Sequence, residues 1–160
     1  MRKGNHPIQN LRLGSNDVNK IMKGTSLVWE RFVEPVAPPS ANGWRFFRWQ
    51  VSGWTPSIRE IQVVVGGTNV ARGAKASSNG SGDASRLTDG ILNVNAISGA
   101  NNLWAMVELE TPVTSASQVI ITADGWMTGT LDVSSDGTNW SRVTANAVSN
   151  TQTFNVPAYS

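Results

Sequence analysis

Apolar and polar residues alternate in short runs over most of the chain beyond residue 44. β-Branched and aromatic residues are frequent in these runs, and Gly, Asn, Asp or Pro stands at their ends. A period of two is typical of β-strands with one buried face, and such end residues are typical of turns. Helical spacing is nowhere sustained for more than about two turns. The pattern therefore predicts an all-β domain, with strands within residues 46–51, 58–65, 103–110, 117–124, 130–136 and 151–156.

The segment before this domain repeats itself: residues 11–20 correspond to residues 21–30, and each unit has Gly followed by Ser or Thr at its centre. Each unit predicts a short strand, a turn and a returning strand, so that together they form a small β-meander. A piece of this size cannot bury its own apolar side chains. We expect it to attach to another surface, which could be its own β-domain, a second copy or a larger protein, through Val18, Ile21, Leu27, Val28, Trp29 and Phe32.

Three prolines, at positions 35, 38 and 39, separate the repeat from the β-domain. Proline lacks a backbone donor and favours extended geometry in its predecessor, so this stretch is predicted to be a semi-rigid spacer. The predicted organisation is an attachment segment over residues 1–34, a Pro-rich linker over 35–43 and a β-domain over 44–160.

Composition excludes several classes. The 160 residues fit one domain with a small appendage, and the absence of cysteine excludes disulfides and thiolate metal sites. The net charge is only +2 and the basic residues are dispersed, so we expect no nucleic-acid partner. No run approaches the ~20 apolar residues of a spanning helix, and no secretory leader is visible, so we expect no membrane insertion.

Four segments of the β-domain resemble discoidin-like, coagulation-factor type C domains and the related family 32 carbohydrate-binding modules: RFFRWQVSGWTPSIREIQVVVGG, GAKASSNGSGDASRLTDG, LWAMVELETPVTSASQVIITADG and TLDVSSDGTNWSRV. The resemblance implies a galactose-binding-like jelly-roll β-sandwich. The first segment resembles what usually ends such a domain, so the order implies a circular permutation. The permutation predicts that Asn155 and its neighbours pair beside residues 46–51.

The N-terminal repeat resembles short segments of bacteriophage tail proteins. This resemblance implies a location in the virion, other phage tail proteins as partners, and several copies per particle or a homo-oligomer. Together the two resemblances predict a non-enzymatic tail or baseplate module that binds a host-surface glycan during adsorption. The alternatives are a structural tail connector or decoration protein without sugar binding, and a carbohydrate-binding module of a secreted bacterial protein.

Two of the seven tryptophans are candidate sugar platforms, because Trp54 lies in a turn bounded by Gly and Pro, and Trp126 lies in a predicted hairpin tip in ADGWMTG. In the resembling modules three loops meet at one end of the jelly roll, which implies one carbohydrate site. Its members would be Trp54, Arg59, Asn79, Asp83, Asp124 and Trp126. The alternative is that both tryptophans are buried against a neighbouring subunit.

The remaining chemistry-bearing residues carry weaker signals. Trp49, Trp104 and Trp140 are predicted to lie in the core, Asp132 and Asp136 to serve turn geometry, and Glu108 and Glu110 to face solvent. A Ser-His-Asp triad needs a histidine as its base, and His6, near the start of the sequence, is the only one. We therefore expect no catalytic site.

The family resemblance also implies a structural calcium ion at Glu60 and Asp89. Calcium prefers six to eight oxygen ligands. However, Ile91 and Leu92 stand where polar ligands would be expected, leaving Asn93 or Asn95 as substitutes. The alternative is that Asp89 only caps its turn.

Overall fold

The computed structural model describes residues 12–13, 16–17, 21–23, 26–28, 42–52, 57–99 and 102–160. The chain divides into two compact units, Met1–Ala37 and Pro38–Ser160. This division falls inside the segment that the sequence marks as a Pro-rich linker.

The described residues of the first unit form four short strands: β1 (Arg12–Leu13), β2 (Asn16–Asp17), β3 (Ile21–Lys23) and β4 (Ser26–Val28). In the first hairpin Leu13 lies opposite Asn16, and in the second Lys23 lies opposite Ser26, so the ten-residue repeat is preserved in the pairing. The two hairpins form separate two-stranded sheets rather than the single meander predicted. Ile21 and Val28 are paired across the second hairpin, whereas Val18, Trp29 and Phe32 lie outside the described residues.

Where the structure describes the second unit, it is all-β, as predicted, apart from one 3-10 helix over Ala84–Thr88. Its strands are β5 (Trp44–Ser52), β6 (Ser57–Val65), β7 (Thr68–Asn69), β8 (Lys75–Ser78), β9 (Ser81–Gly82), β10 (Ile97–Ser98), β11 (Trp104–Val113), β12 (Ser117–Ser134) and β13 (Ser141–Val156).

The long strand β12 organises the sheet, which has the order β8-β11-β5-β12-β6-β10-β9. On one edge β12 pairs with β6 over Gln118–Asp124 and then with β5 over Thr128–Ser134. On its other edge it pairs with β13. Because β12 changes partner midway, the antiparallel sheet curls into a half-barrel, which is consistent with an all-β sandwich.

The core lies inside the curl, where the alternation of β5 buries Phe47, Trp49 and Val51. The Trp49 indole Nε1 donates to Met127 Sδ at 3.2 Å, and its ring stacks on Phe154 with centroids 5.3 Å apart. Trp49 therefore occupies the core as predicted, with its one polar atom satisfied.

The predicted pairing of Asn155 beside residues 46–51 is wrong. Asn155 pairs with Gln118 of β12, and both edges of β5 are already occupied, by β11 and β12. The two ends of the domain nevertheless meet, because the Trp44 indole Nε1 donates to the Pro157 carbonyl at 3.0 Å.

Candidate functional site

Arg59 and Asp124 lie on adjacent strands, β6 and β12, and are joined by an ion pair. Arg59 Nη2 donates to Asp124 Oδ1 at 2.8 Å, and Arg59 Nε donates to Asn95 Oδ1 at 3.1 Å. The Asn95 amide in turn donates to Asp124 Oδ2 at 3.5 Å. The Asp124 side chain is 54% exposed, so this triad of side chains is ordered by its own contacts and still open to a ligand.

Trp126 follows Asp124 by two residues, at the point where β12 changes partner. The pairing with β13 shifts register between Thr122 and Trp126, and Gly125 has φ 107°, a conformation that favours glycine. Trp126 is 58% exposed, more than any other large apolar side chain among the described residues. The irregular backbone thus presents an indole beside the triad.

Trp54, the other predicted platform, lies outside the described residues, within the gap 53–56. The residues that flank this gap are described. Ser52 pairs with Thr128 and Ser57 pairs with Asp124. The residues that flank the gap therefore pair with β12 at Thr128 and Asp124, and these two positions lie on either side of Trp126 in the sequence.

The Asp83 side chain hydrogen-bonds to the nearby Ser85 rather than to the triad. Its Oδ1 accepts hydrogen bonds from the Ser85 hydroxyl at 2.6 Å and the Ser85 amide at 3.0 Å, which cap the 3-10 helix and lower the pKa of Asp83. Its own amide donates to the Ala96 carbonyl at 2.9 Å, next to Asn95. Asp83 therefore lies beside the segment that contains Asn95 and leads into β10, but one of its carboxylate oxygens is already in use.

Asn79 also bonds to backbone. Its Oδ1 accepts from the Trp104 amide at 2.8 Å and its Nδ2 donates to the Asn102 carbonyl at 3.1 Å. The amide thereby ties the loop after β8 to the start of β11. Asn79 positions Trp104 rather than contributing a free polar group.

Glu60 is fully buried on β6, and its carboxylate is only half satisfied. Oε1 accepts from the Gly90 amide at 3.2 Å, whereas Oε2 has no hydrogen-bond partner among the described residues. Burial, followed by the nearby Asp89 carboxylate, raises the pKa of Glu60 to about 7. Asp89 Oδ1 accepts from the Ile91 amide at 2.7 Å, so Asp89 caps its turn. Its carboxylate also repels the ionised form of Glu60.

The part of the chain that the structure describes holds no group of three or more His, Cys, Asp or Glu side chains that could bind a metal ion. An orphaned buried carboxylate oxygen beside a second carboxylate fits the oxygen chemistry of calcium, with further ligands left to carbonyls and amides. The side chains of Ile91 and Leu92, each 48% exposed, have no oxygen atom to offer an ion, so the set of side-chain ligands is small.

Two tryptophans predicted for the core lie elsewhere. Trp104 points outward from β11, between the buried Leu103 and Ala105, and is half-buried. Trp140 is half-buried under the guanidinium of Arg48, whose central carbon lies 3.8 Å from the ring centroid. Both predictions were wrong, because Trp104 has the outward parity of β11 and Trp140 lies between β12 and β13, where Arg48 covers its ring.

Two acidic residues link strands, which the sequence interpretation missed. Asp132 is buried and accepts from Arg48 Nη2 and from Arg142 Nε, both at 3.2 Å, instead of serving only the turn. Glu108 is half-buried and bonds Arg45 and Lys75 rather than facing solvent freely. The available signal was the pairing of opposite charges on the outward positions of adjacent strands.

Asp136 does serve turn geometry, as predicted. Its Oδ1 accepts from the amides of Thr138 and Asn139, both at 2.8 Å, and these bonds hold the pKa of Asp136 well below its usual range.

Chemically, the triad and Trp126 provide a flat apolar ring beside fixed donors and acceptors. The one positive and one negative charge of the triad are paired, so the group is electrically balanced. Among the described residues, no helix has the length and apolar character needed to cross a membrane. No family model, curated protein or solved structure matches this chain.

Proposed function

We propose that this protein is a non-enzymatic bacteriophage tail or baseplate module, carried on the virion, that binds host-surface carbohydrate. The observation that carries the proposal is the 58% exposed Trp126 beside the triad of Arg59, Asn95 and Asp124. An exposed large aromatic usually marks a contact surface. Sugar sites combine such an apolar platform with a few positioned polar groups.

Each member of the site has a distinct task. The Trp126 ring packs against the apolar face of a sugar, and the exposed Asp124 carboxylate accepts hydrogen bonds from its hydroxyls. Asn95 supplies an amide that both donates and accepts. Arg59 is a positioning residue, because its guanidinium bonds both Asp124 and Asn95 and fixes their orientation. Trp54 remains a predicted second platform.

The N-terminal hairpins are proposed as the attachment segment, bound to other phage tail proteins. The strands of both hairpins pair in the same register, ten residues apart, which supports an attachment segment built from two equivalent units. Presenting several copies on one particle compensates for weak single sites, since multivalency raises avidity by ~10²–10⁴.

The proposed domain type is a galactose-binding-like jelly roll, and the curled antiparallel sheet of the second unit supports it. The permuted order that the sequence resemblance implies is not proposed, because Asn155 pairs with Gln118 rather than beside residues 46–51.

A structural calcium ion at Glu60 and Asp89 is also proposed. The orphaned Glu60 Oε2 supports it, because an ion would satisfy an oxygen that the described side chains leave unpaired. The ion would hold β6 to the loop that contains Gly90.

The test measures binding of purified protein, free and displayed in multiple copies, to host lipopolysaccharide and a glycan array. Trp126→Ala and Asp124→Asn are expected to lose the signal while their circular dichroism stays unchanged. Trp140→Ala is the matched control, because it removes a tryptophan that lies under Arg48 rather than beside the triad. Absence of binding by the multivalent wild type overturns the proposal.

One observation favours a structural connector instead. β13 pairs with β12 along one edge, and in its 16 residues Arg142 is the only ionisable side chain. Long strand edges with few charges favour pairing with another chain. Protection of the β13 amides from hydrogen exchange in the assembled virion, but not in the isolated protein, would support that role.

A further inference from the structure

The outer side of three neighbouring strands forms a continuous surface next to Trp126. Trp104 on β11 lies opposite Gln50 on β5, which lies opposite Thr130 on β12. In the next row towards Trp126, Ser52 pairs with Thr128. We call this surface the outer face, and it consists of Gln50, Ser52, Trp104, Trp126, Thr128 and Thr130.

Alternation along the strands shows that these side chains point away from the core. Trp49 and Val51 flank Gln50 in sequence and are both buried, and Met127 and Leu131, which share a face of β12, are buried as well. Outward residues of the same strands therefore share one side of the sheet. The outer face is accordingly a single surface that extends across β11, β5 and β12.

The outer face itself is uncharged. Between the two tryptophans the outer face presents hydroxyl and amide groups, and none of its six side chains is ionisable. The charged row of Arg48, Asp132 and Arg142 lies beyond Trp104. At the Trp126 end, the Arg59–Asp124 charges cancel each other.

Strand spacing gives the size of this surface. Trp104 and Thr130 are two strands apart, about 10 Å, and Thr130 and Trp126 are four residues apart, about 13 Å. The diagonal between the two tryptophans is then roughly 16 Å. Such a span exceeds one sugar ring.

The Trp104 platform is held rigidly. Asn79 Oδ1 accepts from the Trp104 amide at 2.8 Å, and the Ser78 hydroxyl donates to the Trp104 carbonyl at 2.8 Å. A ring on a fixed backbone loses little entropy when a ligand packs on it.

We propose that a chain of several uncharged sugar units binds along the outer face, from Trp126 at one end to Trp104 at the other. The inference rests on the proposed carbohydrate-binding function and names its ligand class, a neutral polysaccharide rather than a single terminal sugar. An uncharged ligand matches a surface without ionisable groups, because a charged partner would lose hydration there without gaining a counter-charge. Between the rings, the Gln50 amide and the Thr130 hydroxyl match sugar hydroxyls. The Ser52 hydroxyl donates to Thr128 Oγ1, and Thr128 Oγ1 donates to the Ser52 carbonyl, so these two hydroxyls act on a sugar as acceptors.

The test uses an array printed with fragments of neutral and acidic polysaccharides, from monosaccharide to hexasaccharide, probed with wild type, Trp104→Ala, Trp104→Tyr, Trp126→Ala and Trp140→Ala. For neutral ligands, wild-type affinity is expected to rise by about tenfold or more with chain length. Trp104→Ala removes this gain but keeps short-ligand binding, Trp104→Tyr retains most of the gain, and Trp126→Ala loses both. Trp140→Ala behaves as wild type.

The outcomes separate the two proposals. Binding without length dependence, an intact gain in Trp104→Ala, or preference for acidic fragments overturns the inference and leaves the carbohydrate-binding function standing. No binding to any fragment overturns both.

Discussion

Arg59 Nη2 donates to Asp124 Oδ1 over 2.8 Å, joining β6 to β12 at the start of the irregular stretch that exposes Trp126. Because both side chains are partly exposed, the pair contributes little to stability, at most about 1 kcal/mol. Its value lies in orienting Asp124. Arg59→Gln is therefore expected to weaken glycan binding by about tenfold, or 1.4 kcal/mol, with almost no change in melting temperature.

Calorimetric titration and thermal melts of the same preparation check this prediction. Arg86→Gln serves as the control, since Arg86 is an exposed arginine whose ion pair with Asp83 spans 4.0 Å. Equal affinities for wild type and Arg59→Gln would show that Asp124 needs no such partner.

Local pattern predicted some strands well and others poorly. It divided β12 into two strands around a hairpin tip at Trp126, whereas Trp126 lies inside one continuous strand and pairs with Ser149, and it gave only residues 151–156 of β13. The alternation around Trp49 gave β5 and its buried face correctly. The neighbours of Asn155 could not be derived locally, because they depend on β12 changing partner midway. In β11, Trp104 is an even number of residues from Glu108 and Glu110, which were predicted to face solvent. The alternation of the strand therefore already indicated that Trp104 points outward.

The candidate site was predictable in part. Arg59, Asp124 and Trp126 follow from the resemblance and lie close together in the sheet, whereas Asn95 joined them through a fold contact between distant segments. Asn79 illustrates the limit. A loop asparagine offers the same amide whether it meets a ligand or the backbone, and only the structure shows its bonds to Asn102 and Trp104.

Gly129 is required by the core. A Cβ at this position would lie 2.5 Å from the Gln50 carbonyl oxygen and 2.6 Å from the Trp49 ring, and neither the strand nor the packed indole can move freely. Gly129→Ala is expected to lower the free energy of unfolding by about 2 kcal/mol or more. Urea denaturation measures it, with the outward Thr130→Ala as control; similar midpoints for the two variants would contradict the prediction.

Asp132 is expected to stabilise the sheet through its two arginines. Its side chain is only 5% exposed, so Asp132→Ala leaves Arg48 without its carboxylate partner and removes a constraint on the stacking over Trp140. We expect a loss of about 2 kcal/mol and a shift in tryptophan fluorescence. A double-mutant cycle with Arg48→Ala measures the coupling, and a coupling near zero would show that the two residues act independently.

Asn79 is expected to affect binding only through Trp104. Asn79→Ala removes the acceptor for the Trp104 amide and the donor to Asn102, which loosens the start of β11. The length-dependent gain in glycan affinity should fall several-fold, while binding of a monosaccharide at Trp126 is retained. Asn79→Asp keeps the acceptor for the Trp104 amide but loses the donor to the Asn102 carbonyl, so a smaller loss than in Asn79→Ala is expected. Loss of monosaccharide binding in Asn79→Ala would instead indicate a direct contact with the ligand.

Glu60 makes stability depend on pH when a chelator is present. In the unfolded chain its carboxyl group releases a proton near pH 4.5, whereas in the folded protein it keeps the proton until about pH 7. This contribution to the free energy of unfolding is therefore fully present below pH 4.5, falls as the pH rises, and is lost above about 7. The total change is about 3 kcal/mol.

Glu60→Gln isolates this contribution, because the amide is nearly isosteric and does not titrate. Urea denaturation from pH 4 to 8 in chelator should show a falling curve for wild type and a flatter one for the variant. Calcium separates the two roles of the carboxylate. A bound ion favours the ionised form, so calcium at neutral pH should raise the melting temperature of wild type but not of Glu60→Gln. If calcium leaves both unchanged while the pH slope persists, Glu60 is a buried acid that stays protonated without a metal.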